Sequence, residues 1–199
     1  MNTQKVVVPG PRDVRGSLDT PEEGTGRVVV ACPPHPQFGG DRRDRRLRAV
    51  GEMLTDRGVA CLRIDYGPWD EGDGERADVR NVLAWAADRY DRVGLFGYSF
   101  GAAMALLATA DLDPDATEYP LALSALAPGA RATDALAHVE CPVQVLYGVR
   151  DDTVDWEPVA DRARELGMDV VELSADHHFV GQSEKVAETV TAFLLAELA

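Results

Sequence analysis

Lysine is almost missing from this chain: Lys5 and Lys185 are the only two, and the other 18 of its 20 basic residues are arginine. Positive charge as a whole is scarce, with 34 acidic residues set against those 20 and a formal net charge of −14 at pH 7. A surface of that sign repels phosphate backbones and anionic headgroups, which argues against nucleic acid or an anionic membrane as a partner. Long apolar runs are missing too. None approaches the roughly 20 residues that a membrane span requires, and Met1–Lys5 lacks the apolar stretch of a secretory signal, so the cytoplasm is the expected compartment. Cysteine is limited to Cys32, Cys61 and Cys141, with no C-x-x-C spacing. All three lie in or beside apolar runs, so buried, reduced thiols are expected and a zinc site is not.

What is present fits one globular domain. The 199 residues are 45% hydrophobic and 27% charged, enough to bury a core. An acidic surface that is poor in lysine but keeps arginine is the pattern of proteins from salt-loving microbes, in which molar salt screens carboxylate repulsion. A merely acidic protein from a GC-rich genome is the other reading. Short β-branched runs alternate with amphipathic ones. Strands are expected at Lys5–Val8, Arg27–Cys32, Val59–Ile64, Arg92–Gly97, Leu121–Leu126, Val143–Tyr147 and Asp169–Leu173. Helices are expected at Arg42–Arg57, Gly74–Tyr90, Phe100–Ala110, Glu157–Leu166 and Ser183–Leu198. This alternation predicts a single α/β domain over residues 1–199, with a mostly parallel twisted sheet flanked by helices on both faces. Gly24-Thr25-Gly26 reads as a tight turn and not as a phosphate loop, since no strand-then-helix context surrounds it.

Gly97-Tyr98-Ser99-Phe100-Gly101 stands between a strand-like and a helix-like segment. In that setting G-x-S-x-G reads as a nucleophile elbow, a sharp turn that presents a serine hydroxyl beside the free N–H groups of a helix start. Serine is a poor nucleophile near neutral pH and needs a base, which in turn needs an orienting acid. Carboxylates follow one later strand, at Asp151, Asp152 and Asp155. Histidines follow the next, at His177 and His178. Catalytic groups of open α/β sheets gather at the carboxyl ends of strands, and the order Ser, Asp, His suits this fold class.

Several segments together resemble a small lid-less α/β-hydrolase related to the dienelactone hydrolase group. They are Cys32–Gly40, Leu62–Gly67, the elbow, G-x-x-D-x-x-V at Gly148–Val154, and Ala175-Asp176-His177, so the resemblance runs from about Val28 to the C-terminus. It implies the α/β-hydrolase fold without a cap domain, Asp151 as acid and His177 as base. Only about 16 residues separate Leu126 from Val143, too few for a lid of packed helices. Dienelactone hydrolases proper carry a cysteine nucleophile, and Ser99 here points to ester-type acyl chemistry. The expected oxyanion donors are the backbone N–H groups of Phe100 and, because Pro36 has none, of Gln37. His35 is read as holding its loop, Asp176 as accepting backbone N–H bonds, and His138 as a surface residue.

The favoured function is serine hydrolysis of a carboxylic ester or related small acyl substrate through an acyl-enzyme, with no metal or organic cofactor. A serine acyltransferase or peptidase on the same triad, and a non-catalytic binding protein on the same scaffold, remain open. The loop Tyr66–Asp73 reads equally well as a pocket wall or as an ordinary turn. Asp111-x-Asp113-x-Asp115 opens like a calcium loop, but Ala116 and Ala122 occupy positions that require glycine and glutamate. The arginine-dense Arg42–Arg48 reads as a solvated helix face.

Overall fold

The computed structural model describes residues 2–199. Eight strands form one sheet: β1 (Asn2–Val8), β2 (Val14–Thr20), β3 (Arg27–Cys32), β4 (Ala60–Asp65), β5 (Arg92–Tyr98), β6 (Leu123–Leu126), β7 (Val143–Gly148) and β8 (Asp169–Leu173). Their spatial order is β1-β2-β4-β3-β5-β6-β7-β8. The first two pairings, β1 with β2 and β2 with β4, are antiparallel, and every other neighbour is parallel. Among the described residues, four α-helices connect strands, α1 (Arg45–Asp56), α2 (Asp73–Ala87), α3 (Phe100–Ala110) and α4 (Glu157–Glu165), and α5 (Ser183–Glu197) follows the last strand.

The sheet separates two cores. Leu47, Val50 and Leu54 of α1 and Val186, Val190 and Leu194 of α5 pack on one face, against Val29, Ala31, Phe96 and Leu146. Residues of α2, α3 and α4 cover the other face, against Val28, Val30, Leu95 and Val145. The inner strands are buried on both sides, which explains their unbroken apolar runs. No helix among the described residues is long and apolar enough to cross a membrane.

β2 was not expected from the sequence. Its buried positions are Val14, Gly16, Leu18 and Asp19, and the glycine and the aspartate hide the apolar alternation. Asp19 is tolerated inside because Arg63 of β4 donates to it at 2.8 Å. The start of α1 also moves, from Arg42 to Arg45, because Asp44 caps the helix by accepting the Arg46 N–H at 2.8 Å. The strand expected from Leu121 begins at Leu123.

Chain direction reverses around β3. The chain passes from β3 to β4 on one side and then returns to lay β5 on the other. Such a switch point opens a crevice beyond the carboxyl ends of the two strands. The loop after β3 and the turn after β5 therefore meet there.

Candidate active site

Ser99 occupies the turn between β5 and α3, with φ 56° and ψ −118°, a conformation that non-glycine residues rarely adopt. The two glycines around it are sterically required. A Cβ on Gly97 would lie 2.3 Å from the Gly101 carbonyl oxygen, and one on Gly101 would lie 2.3 Å from that of Cys32. The Ser99 N–H donates to the Leu126 carbonyl at 2.8 Å, which ties the turn to β6.

Three residues from three strand ends converge. His177 Nε2 lies 2.9 Å from Ser99 Oγ, and His177 Nδ1 lies 2.7 Å from Asp151 Oδ2. All three are buried. The other Asp151 oxygen accepts the backbone N–H groups of Thr153 (2.9 Å) and Val154 (3.2 Å). An ionised carboxylate can only accept, so Nδ1 carries the ring proton and the Nε2 lone pair faces the serine hydroxyl. That tautomer suits a general base.

The competing candidates sit apart from this contact. His178, Asp152 and Asp155 are exposed, as is His138. Asp176 accepts the His178 N–H at 3.0 Å and so holds the histidine loop. Asp111 is occupied by Arg76 and Arg80, not arranged around a cation. Cys32 and Cys61 are fully buried and Cys141 partly so. Burial pushes the Cys61 and Cys141 thiols up to about 12 and Cys32 higher still, so none is a thiolate near neutral pH.

Gln37 is placed differently from the expectation. Residues Pro36–Phe38 form a single 3-10 turn, and the Gln37 N–H donates to the His35 ring at Nδ1, 3.3 Å away. Its amide is thereby used within the loop, and Gln37 does not line the cleft. Of the loop residues that do, Pro34 has no N–H and those of Phe38, Gly39 and Gly40 are bonded within the loop, whereas the His35 N–H donates to no acceptor among the described residues. Phe100 is the first residue of α3, where a helix leaves its N–H groups unpaired.

Around the serine lies a cleft of about 440 Å³ bordered by His35, Phe38, Arg46, Tyr98, Thr153 and His178. Phe38 forms its lip with 86% of its surface exposed. Sequence reasoning missed two supports. The Tyr98 hydroxyl donates to the His177 carbonyl at 2.9 Å. Burial pushes this phenol up to about 12, with Arg46 partly opposing, so it stays protonated and able to donate. The Arg46 guanidinium lies 4.3 Å above the Tyr98 ring and donates to the His178 carbonyl at 2.8 Å. Tyr98 is adjacent to the nucleophile in sequence, but nothing in the sequence marks its partner. In the loop between β4 and α2, Trp69 packs on the His35 ring at 4.6 Å and on Phe100 at 5.7 Å. This loop backs the His35 segment and does not border the cleft.

Architecture and connection lengths together define an α/β-hydrolase fold without a cap domain. The comparisons agree with that class. An α/β serine hydrolase homologue from Coxiella burnetii superimposes with a TM-score of 0.79 at 22% identity, covering 100% of this chain and 99% of that one. A Xanthomonas campestris α/β serine hydrolase without a lid gives 0.77 at 24% identity, covering 98% and 93%. In sequence, the chain is 34% identical over 165 residues to a Mycobacterium tuberculosis protein provisionally named a phosphoribosyl transferase. That match takes in 74% of this chain but spans only 35% of the relative's length. No protein-family model matches the chain.

Proposed function

We propose that the chain is a serine hydrolase that cleaves a carboxylic ester or a related small acyl substrate. The observation that carries this reading is the continuous contact from Ser99 through His177 to Asp151, at 2.9 and 2.7 Å. His177 takes the Ser99 proton as Oγ attacks the acyl carbonyl, and the Asp151 carboxylate stabilises the imidazolium that results. The tetrahedral oxyanion rests on backbone N–H groups, for which we assign Phe100 and His35, the latter in place of Gln37. His177 then protonates the leaving alcohol. A water molecule, deprotonated by the same ring, hydrolyses the acyl-enzyme and returns Ser99. No step in this sequence calls on a metal or an organic cofactor.

The transferase name of the mycobacterial relative describes a longer protein and is not carried over. One feature favours hydrolysis over acyl transfer: only two short 3-10 turns join β6 to β7, so no lid of packed helices there excludes water from the cleft. The test is labelling with a fluorophosphonate probe, wild type against Ser99→Ala, followed by a panel of short-chain esters. Labelling lost in the variant, together with ester turnover, supports hydrolysis. Labelling with turnover only when an acyl acceptor is added moves the assignment to transfer. A folded wild type that does not label indicates a binding protein.

A further inference from the structure

Two carboxylates that the reaction does not use are buried behind the site. Glu75 is 0% exposed and Asp78 is 2% exposed, both on the first turns of α2. Both are turned to the loop between β4 and α2. Glu75 accepts the N–H groups of Asp70 (2.9 Å) and Gly72 (2.8 Å), and Asp78 accepts that of Gly67 (2.9 Å). The cation that pairs with both comes from far away in the chain: Arg12, at the tip of the β1–β2 hairpin. Its Nε donates to Asp78 at 2.9 Å, and its Nη atoms reach Glu75 at 3.5 Å, Asp70 at 3.6 Å and the Pro68 carbonyl. The slot fits this side chain closely. A Cβ on Gly74 would lie 2.2 Å from Arg12 Nη1, and one on Gly67 would lie 3.1 Å from Arg12 Cβ.

Trp69 sits in the middle of the segment clasped in this way, with bonds fixed on both sides of it at residues 67, 68, 70 and 72. Its ring supports that of His35 at 4.6 Å. The same imidazole accepts the Gln37 N–H and so caps the Pro36–Phe38 turn of the loop that borders the cleft with Ser99. We propose that Arg12 is a positioning residue for the serine-hydrolase site, locking Trp69 against His35 and thereby fixing the loop that supplies the second oxyanion donor. The proposal rests on the serine-hydrolase reading above. Burial pushes the Asp78 carboxyl up, and the hydrogen bonds from Gly67 and Arg12 together with the Arg12 charge oppose it. Arg12 thereby helps to keep Asp78 an acceptor for the loop.

The test compares Arg12→Gln with Arg63→Gln. Arg63 holds another buried carboxylate, Asp19, at 2.8 Å, and it has no hydrogen bond or ion pair with the loop of residues 66–73. Both variants lose a buried ion pair, so both lose stability. Arg12→Gln is expected to lower kcat about 10-fold with KM changed less than about 3-fold, because an ångström of misplacement acts on the transition state. Arg63→Gln, measured well below its melting temperature, is expected to keep kcat, and Arg12→Lys is expected to recover part of the loss. Combining Arg12→Gln with Trp69→Leu should cost little more than either change alone. A second readout needs no catalysis. With Trp85 and Trp156 replaced by phenylalanine, Arg12→Gln should raise acrylamide quenching of Trp69, which reports the ring leaving His35. Unchanged kcat with unchanged quenching overturns the proposal, as does an equal kcat loss in Arg63→Gln. If the wild type neither labels with fluorophosphonate nor turns over esters, the hydrolase reading fails and the catalytic positioning role falls with it, while quenching still decides whether Arg12 locks Trp69. If Arg12→Gln does not fold, Arg12→Lys carries the same comparisons.

Discussion

Ser99→Gly is expected to give a dead but more stable protein, and Ser99→Ala an equally dead one without that gain. The reason is the backbone at φ 56°, ψ −118°, where a Cβ is crowded. Strain of this kind costs on the order of 1–3 kcal/mol. It cannot relax locally, because the Ser99 N–H is bonded to Leu126 and the Ser99 carbonyl accepts from Ala102 at 3.0 Å and Ala103 at 3.2 Å. Alanine keeps the Cβ and hence the strain, whereas glycine removes both. Glycine also frees the unfolded chain, which takes back about 0.5–1 kcal/mol relative to alanine. Both variants lose the hydroxyl's contact with His177, so that loss cancels between them. The difference should be about 1 kcal/mol in favour of Ser99→Gly, or about 2–4 °C in melting temperature for a domain of this size. Urea unfolding of the two variants measures it, with unchanged m-values as the check that both expose the same surface on unfolding. A glycine variant no more stable than the alanine variant would refute the claim that the elbow stores strain.

Three further outcomes are expected. Gly101→Ala should destabilise by about 3 kcal/mol or more, because its methyl meets the backbone at Cys32 and Pro33 and not a movable side chain; a urea midpoint within error of wild type would contradict this. Burial is the main influence on His35 and pushes its ring below the ordinary value of 6.5, with Glu75 opposing and Arg131 adding to the shift. The unfolded chain then binds the extra proton first, so the ring's contribution to stability is full above about pH 6.5 and is lost as pH falls below it; an NMR titration midpoint above 6.5 would reverse the sign. Finally, with a net charge of −14, melting temperature and activity should rise from dilute buffer towards molar KCl as the screening length falls from about 10 to about 3 Å; a flat profile would leave the acidity without a halophilic meaning.

The parts of the fold that were legible in sequence are those in which one residue type has one physical reason to be there. Gly97 and Gly101 announce the elbow because any side chain collides with backbone, and the doubly buried strands announce themselves by apolar runs. β2 was illegible because its buried positions are filled by exceptions. Gly16 is there because a Cβ would lie 2.6 Å from the Leu62 side chain, and Asp19 is there because Arg63 neutralises it from 44 residues away. The convergence of Ser99, Asp151 and His177 could be expected from their places at strand ends. The place of the Gln37 amide was hidden for a different reason. Which amide faces the cleft depends on how the Pro36–Phe38 turn is capped, and that is decided by the His35 ring, not by which residues possess an N–H. The Arg12 clamp was out of reach for the same reason as β2, since its partners are set by tertiary approach alone.

The hydrogen bond from Tyr98 to the His177 carbonyl has a thermal consequence. β8 carries the loop of His177 and pairs only with β7, so it is an edge strand and a natural starting point for opening short of complete unfolding. The Tyr98 hydroxyl, bonded to the His177 carbonyl, moors that loop to the central strand that bears the nucleophile. On heating, the histidine is thus the member of the triad first exposed to fraying, and the phenol is what delays its departure. Catalytic loss should therefore run ahead of the loss of far-UV signal, and Tyr98→Phe should widen the interval between them.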